Sequence, residues 1–215
     1  MTLVKICGVT LADDAAHASA VGADFIGLNF WKRGRRYVTP QRAAIVAAAA
    51  RGAGAARVVG VFVDADADDI RAVTDVVALD AVQLHGDDAP GAVAELAAAT
   101  RLPVWKAIAV TGAAELVALP VWPCEALVLD APTPLRGGAG ARFDHALAAE
   151  ARRRWPALRI VLAGGLTPDT VAEAIHAVDP WCLDVASGVE VAPGVKDAMR
   201  VAAFVAAVRS RQAGG

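Results

Sequence analysis

The sequence predicts a (β/α)8 TIM barrel, read as a single domain over residues 1–215, and three observations carry that prediction. Eight short runs rich in Val, Ile and Leu alternate with eight stretches of helical character. Most runs lack polar alternation, as parallel strands covered on both faces do. A count of eight within 215 residues also matches closure of a compact barrel. The alternative, an open doubly wound sheet, is disfavoured because no GxGxxG follows the first strand.

The elements follow in order. Leu3–Cys7 is the first strand, with a helix over 11–21. Asp24–Phe30 is the second, and Thr39-Pro40 starts a helix over 40–53 with a capping residue and a proline at the first turn. Strands at Arg57–Val63 and Ala81–His85 precede helices at 66–77 and 88–100. Pro103–Val110 is followed by a short helix at 112–118, and 111–125 is the least regular stretch. Ala126–Asp130 leads to a helix over 143–155 that Asp144 starts. Arg159–Ala163 is followed by Thr167-Pro168 and a helix over 168–178, and Trp181–Ala186 by a helix over 197–209 with Asp197 in its first turn. Gln212–Gly215 reads as a frayed tail.

Composition excludes several function classes. The chain is 56% hydrophobic and carries 21 Lys+Arg against 23 Asp+Glu, a balance without the basic excess of a general nucleic-acid binder. Its longest apolar runs, such as Ala43 to Ala50, fall well short of the ~20 residues a bilayer span needs. Lys5, Asp13 and Asp14 interrupt any signal peptide. Cys7, Cys124 and Cys182 form neither a CxxC nor a Cys/His cluster, so neither a metal site nor a disulfide framework is expected. The expectation is a cytoplasmic protein.

In such barrels active sites gather at the C-terminal ends of the strands. Polar or flexible groups there are Cys7-Gly8, Lys32–Arg36, Gln83, His85, Asp130, Gly137–Gly140, Gly164-Gly165 and Ser187-Gly188. Either of the last two pairs alone could be a tight turn. Found after strands seven and eight together, they favour a phosphate site built from backbone N–H groups. Asp130 ends an apolar strand, where a carboxylate either caps a loop or works as an acid or base. A lone buried cysteine is more often inert packing, but Cys7 lies on the same rim as that carboxylate. Cys124 and Cys182 read as packing.

The basic loop Trp31–Arg36 is either a solvated surface or a carboxylate clamp, for which an Arg fork is suited. Lys5 and Lys106 lie within strands and need partners. Asp184, on the strand that neighbours the first in a closed barrel, is the expected partner of Lys5.

Taken together, Lys5-Ile6-Cys7-Gly8, Asn29-Phe30, Arg36-Tyr37-Val38-Thr39-Pro40, Val82-Gln83-Leu84-His85-Gly86, Leu129-Asp130, Ala163-Gly164-Gly165-Leu166 and Ser187-Gly188-Val189-Glu190 stand in a distinctive order. Pro193-Gly194 and Lys196-Asp197 close it. The chain resembles the phosphoribosylanthranilate isomerases of tryptophan biosynthesis over nearly its whole length.

The resemblance implies an Amadori rearrangement of a phosphorylated small molecule, without metal or organic cofactor, nucleic acid or membrane, by a monomer or homodimer. It implies Asp130 as the general acid on the furanose oxygen and Cys7 as the base at C2. It further implies Arg36 on the anthranilate carboxylate, Gly164, Gly165, Ser187 and Gly188 around the phosphate, and His85 among the substrate-binding residues. A thiolate base requires nearby positive charge or a dipole to lower its pKa from about 8.5. An acidic Asp130 requires a raised one.

Departures from the pattern lie at Trp31–Arg35, Ala139, His145, Thr170 and Ala186. They touch loop geometry and phosphate contacts rather than the acid or the base. Three rivals remain. The aminoaldose isomerase of histidine biosynthesis pairs two aspartates, indole-3-glycerol-phosphate synthase has a mouth rich in Lys and Glu, and a non-catalytic phosphate sensor would not need Cys7 and Asp130.

Overall fold

The computed structural model describes residues 1–130 and 143–213. Eight strands close on themselves: β1 (Leu3–Cys7), β2 (Phe25–Asn29), β3 (Arg57–Phe62), β4 (Ala81–Leu84), β5 (Val104–Ala109), β6 (Ala126–Asp130), β7 (Ile160–Leu162) and β8 (Cys182–Val185). Every pairing is parallel, and β8 pairs β1 with Lys5 opposite Asp184. The connecting helices are α1 (Ala12–Ala20), α2 (Pro40–Ala53), α3 (Ala67–Thr74), α4 (Pro90–Thr100), α5 (Ala113–Ala118), α6 (His145–Arg154), α7 (Val171–Val178) and α8 (Ala198–Ala213).

Because strand side chains alternate, the barrel has two cores. Ile6, Ile26, Leu28, Val58, Val82 and Leu162 face outward, beneath the helices. Alanine lets those helices lie close: Ala15 and Ala18 of α1 and Ala43, Ala47 and Ala50 of α2 are buried. Inside, Phe25, Val59, Ala81, Trp105, Val128 and Cys182 form a second cluster. Its lower end is plugged by aromatics, with Trp105 edge-on to Phe25 at 4.8 Å and to Trp181 at 5.5 Å. Toward the strand C-termini the interior turns polar, so any site must open there.

The last helix fastens the first strand. Arg209 of α8 donates to the carbonyls of Thr2 and Gly22 and to the Asp24 carboxylate at 2.6–3.0 Å. Caps follow the sequence: Thr39 accepts from the Arg42 amide and Asp144 from that of Ala146. Asp197 accepts from the amides of Met199 and Arg200.

Three expectations need correction. The helix expected over 168–178 begins at Val171, because the Thr167 and Thr170 hydroxyls bond to each other and to each other's amides, which holds 167–170 as a turn. The helix expected to end at Val77 stops at Thr74, and α8 runs past the expected tail start at Gln212 to Ala213. Between β8 and α8 lies an unforeseen hairpin, β9 (Glu190–Ala192) with β10 (Val195–Lys196). Its signal was present in Val191, Pro193-Gly194 and Val195, where a Pro-Gly turn separates β-branched residues. The expected turn Gly137–Gly140 and Ala139 lie outside the described residues.

Candidate active site

Lys5 and Cys7 share the inner face of β1, two residues apart. Lys5 is fully buried, and its Nζ bonds Asp184 Oδ2 at 2.8 Å, as the strand order predicted. Burial alone would lower the Lys5 pKa, but the Asp184 carboxylate outweighs it and holds the ammonium above its ordinary value. Cys7, half-buried at the strand's end, responds in the opposite sense. Burial and the Asp184 charge push its thiol above the ordinary value, and Lys5 and Lys196 offset this only in part. Burial and Asp184 together therefore outweigh the neighbouring cations, a shift in the direction opposite to the one a thiolate base requires. Cys124 and Cys182 are also raised by burial, Cys124 to about 11, which suits packing roles.

Across the mouth, Asp130 ends β6 with 8% exposure. Its Oδ2 lies 3.6 Å from His85 Nε2, and His85 Nδ1 lies 3.4 Å from the Gln83 amide nitrogen. If the amide donates to Nδ1, the imidazole proton sits on Nε2 and faces the carboxylate. Lys106 finds its partners in the Gly86 carbonyl and Asp88, at 2.6 and 3.2 Å.

The third element is Arg36, at the end of the basic loop. Asn29 shapes the start of that loop by accepting from the Trp31 amide at 2.8 Å. Arg36 Nε and Nη2 grip the two oxygens of Glu190 at 2.8 and 2.6 Å. Glu190 Oε1 also takes Lys196 Nζ at 2.7 Å. Burial would raise the Glu190 pKa, but these two cations hold it below the ordinary carboxylate range. Lys196 reaches further, to the Cys7 carbonyl at 2.6 Å and the Ala186 carbonyl at 3.2 Å. One ammonium thus ties the ends of β1 and β8 to the hairpin that holds Arg36. These roles of Glu190 and Lys196 were missed in the sequence. Among the described residues Nη1 of Arg36 has no hydrogen-bond partner, and the guanidinium is a planar donor fixed at the cleft wall.

The turns after β7 and β8 meet. Gly164 and Gly165 have φ of +88° and +68°, left-handed values that suit glycine. A Cβ on Gly188 would collide with the Leu166 carbonyl oxygen, so only glycine lets the two turns approach. Among the described residues, the amides of Gly165, Ser187 and Gly188 donate to no backbone carbonyl, and they are available to an anion.

A cleft of about 530 Å³ joins these parts, and Cys7, Arg36, His85, Asp130, Gly164, Gly165, Ser187 and Gly188 all line it. The sequence therefore named eight positions that the fold brings to one cavity. Trp31, Val191 and Pro193 add an apolar wall, and Gln83 and Asp184 add buried polar atoms. Such a cavity suits an anionic ligand with a flat apolar part and a phosphate-sized group.

Comparison with known proteins agrees. Residues 4–207 match the family described as N-(5'phosphoribosyl)anthranilate (PRA) isomerase. The N-(5'-phosphoribosyl)anthranilate isomerase of Geobacter sp. (strain M21) is 44% identical over 209 residues, 96% of this chain and 97% of that protein. The crystal structure of phosphoribosyl anthranilate isomerase from Thermotoga maritima is 36% identical with a TM-score of 0.87, covering 98% of this chain and 100% of that one. A further isomerase structure, in complex with reduced 1-(o-carboxyphenylamino)-1-deoxyribulose 5-phosphate, is 33% identical with a TM-score of 0.84 and the same coverage. With the match running from the first strand into the last helix, the chain belongs to the N-(5'-phosphoribosyl)anthranilate isomerase family.

Proposed function

We propose that the chain converts N-(5'-phosphoribosyl)anthranilate to 1-(2-carboxyphenylamino)-1-deoxyribulose 5-phosphate in tryptophan biosynthesis. The observation that carries the site assignment is the shared cleft, with Cys7 and Asp130 on its rim, the glycine turns at one part and Arg36 at another. The related structure that holds a reduced form of this product supports the same reading.

The positions of the groups in the cleft support the following mechanism. Asp130, in its acid form, protonates the furanose ring oxygen, and the C1–O bond breaks to leave a protonated Schiff base. Cys7 removes the C2 proton, and the C–H electrons form C1=C2 as the iminium is neutralised. The resulting enolamine gains a proton at C1 and loses the C2 hydroxyl proton to become the ketone. The iminium is its own electron sink, so the chemistry calls for no metal or organic cofactor. Cys7 acts as the thiolate: its thiol proton passes to solvent first, an ionisation the positive iminium beside it favours, and the C2 proton then restores the thiol.

Arg36 holds the anthranilate carboxylate through its free edge, and the amides of Gly165, Ser187 and Gly188 hold the phosphate. His85 backs Asp130. We place this activity in the cytoplasm, consistent with three cysteines that form no disulfide.

The test is a fluorescence assay on phosphoribosylanthranilate generated in situ from anthranilate and phosphoribosyl pyrophosphate, comparing wild type with Cys7→Ala. Loss of the substrate signal with wild type alone supports reaction and base together. No loss with folded wild type overturns the reading.

A further inference from the structure

The mechanism above leaves one buried charge half used. Asp184 on β8 lines the cleft, and its side chain is only 8% exposed. Its Oδ2 takes the Lys5 ammonium, while Oδ1 has no hydrogen-bond partner among the described residues. A carboxylate oxygen out of water without a donor is costly, so such an atom in a ligand cleft marks a place where the ligand supplies the donor.

Position narrows which donor. Lys5 bonds Asp184, with which it pairs across the β1–β8 seam, and Cys7 follows two residues later on the same inner face. A methyl group on Gly27 would come within 2.8 Å of Cys7 Sγ and 3.2 Å of Lys5 Cε, so thiol and lysine stem lie side by side. Cys7 and Asp184 thus stand at one corner of the cleft, which both line. A carbon whose hydrogen points at Cys7 therefore carries its other substituents within reach of Asp184. Asp184 also lies three residues before Ser187, so the sugar chain running from the phosphate turn to Cys7 must pass it. The substituent on that carbon able to donate is its hydroxyl.

We propose that Asp184 is a further substrate-binding residue whose Oδ1 accepts a hydrogen bond from the hydroxyl on the carbon that Cys7 deprotonates. The proposal rests on the assignment of Cys7 and of the phosphate turns given above. Gripping this hydroxyl fixes rotation about C2 and aims its C–H bond at the sulfur. It also opposes binding of a 2-deoxy sugar, because the carboxylate oxygen would then stay buried and unpaired.

Two stable ligands test this, made by reductive amination of anthranilate with ribose 5-phosphate or with 2-deoxyribose 5-phosphate and titrated by their fluorescence. Wild type is expected to bind the hydroxylated ligand about 10- to 100-fold more tightly, the range for a hydrogen bond to a charged group. In Asp184→Asn the preference should fall below about fivefold. It should vanish in Lys5→Met/Asp184→Leu, which replaces the ion pair with apolar side chains of similar volume and keeps the test valid if the single variant misfolds. Circular dichroism confirms folding in each case. Equal binding of both ligands by wild type, or an undiminished preference in either folded variant, overturns the proposal. Binding of neither ligand by wild type overturns the site assignment itself.

Discussion

Lys196 gives the sharpest prediction. Its side chain is 1% exposed, and its ammonium satisfies Glu190 and the carbonyls of Cys7 and Ala186. Lys196→Met keeps most of the stem volume, so little cavity cost arises. Glu190 retains Arg36 and the Gly194 amide, which leaves the two carbonyls as the groups that lose a donor. At about 1–3 kcal/mol for each buried acceptor left unmade, the loss should be near 3 kcal/mol, the low end for breaking a buried ion pair. With a urea dependence of about 3 kcal/mol/M, the unfolding midpoint should drop by about 1 M. Circular dichroism in a urea series reads this directly, and kcat should fall with it because Cys7 loses its carbonyl anchor. A midpoint shift below about 0.3 M would refute the view that this ammonium holds the strand ends together.

Four further outcomes are expected. Cys7, measured in a Cys124→Ser/Cys182→Ser background, should react with iodoacetamide at a rate that rises only above the ordinary thiol pKa of about 8.5; a plateau at neutral pH would contradict the raised thiol. Glu190 is depressed in the folded state, so its contribution is full above the unfolded carboxyl pKa and is lost as pH falls through the folded one. Acid unfolding of Glu190→Gln should therefore be less steep below about pH 4.5 than that of wild type, and identical profiles would count against the pairing. Gly188→Ala should push apart the turns after β7 and β8 and raise KM about tenfold or more in a folded protein, whereas an unchanged KM would remove the phosphate role. Arg36→Gln should raise KM about 10- to 100-fold with kcat changed only a few-fold; equal loss in both would argue against a carboxylate clamp.

The barrel was legible because its evidence is local. Each run of apolar residues and each Thr-Pro or Asp cap reports on its own neighbourhood, and eight repeats of one pattern leave little freedom in how they close. Even Lys5 with Asp184, 179 positions apart, could be foreseen, since closure brings the last strand beside the first. The Arg36–Glu190–Lys196 linkage was not legible. Nothing near Glu190 in the chain says that its oxygens meet a loop 154 positions earlier. Glu190, Pro193-Gly194 and Lys196 stood out as motif letters, but only the folded hairpin gives them tasks. The same limit hid the shift of Cys7: the cations and Asp184 near it were visible, but the depth of burial that leads the shift was not.

The seam between β1 and β8 has a consequence during synthesis. The strand carrying Cys7 leaves the ribosome ahead of its neighbour and waits until some 179 more residues have been added. At about 5–20 residues per second, that is roughly 9 to 36 s with one strand edge unpaired. Lys5, placed in the middle of Leu-Val-Lys-Ile-Cys, keeps this exposed apolar segment charged throughout the wait and so guards it against pairing with other nascent chains. Only when β8 arrives does Asp184 meet that charge, and only when α8 brings Arg209 to Thr2 is the first strand clasped. The residue that later lies beneath Cys7 first serves as a gatekeeper against aggregation.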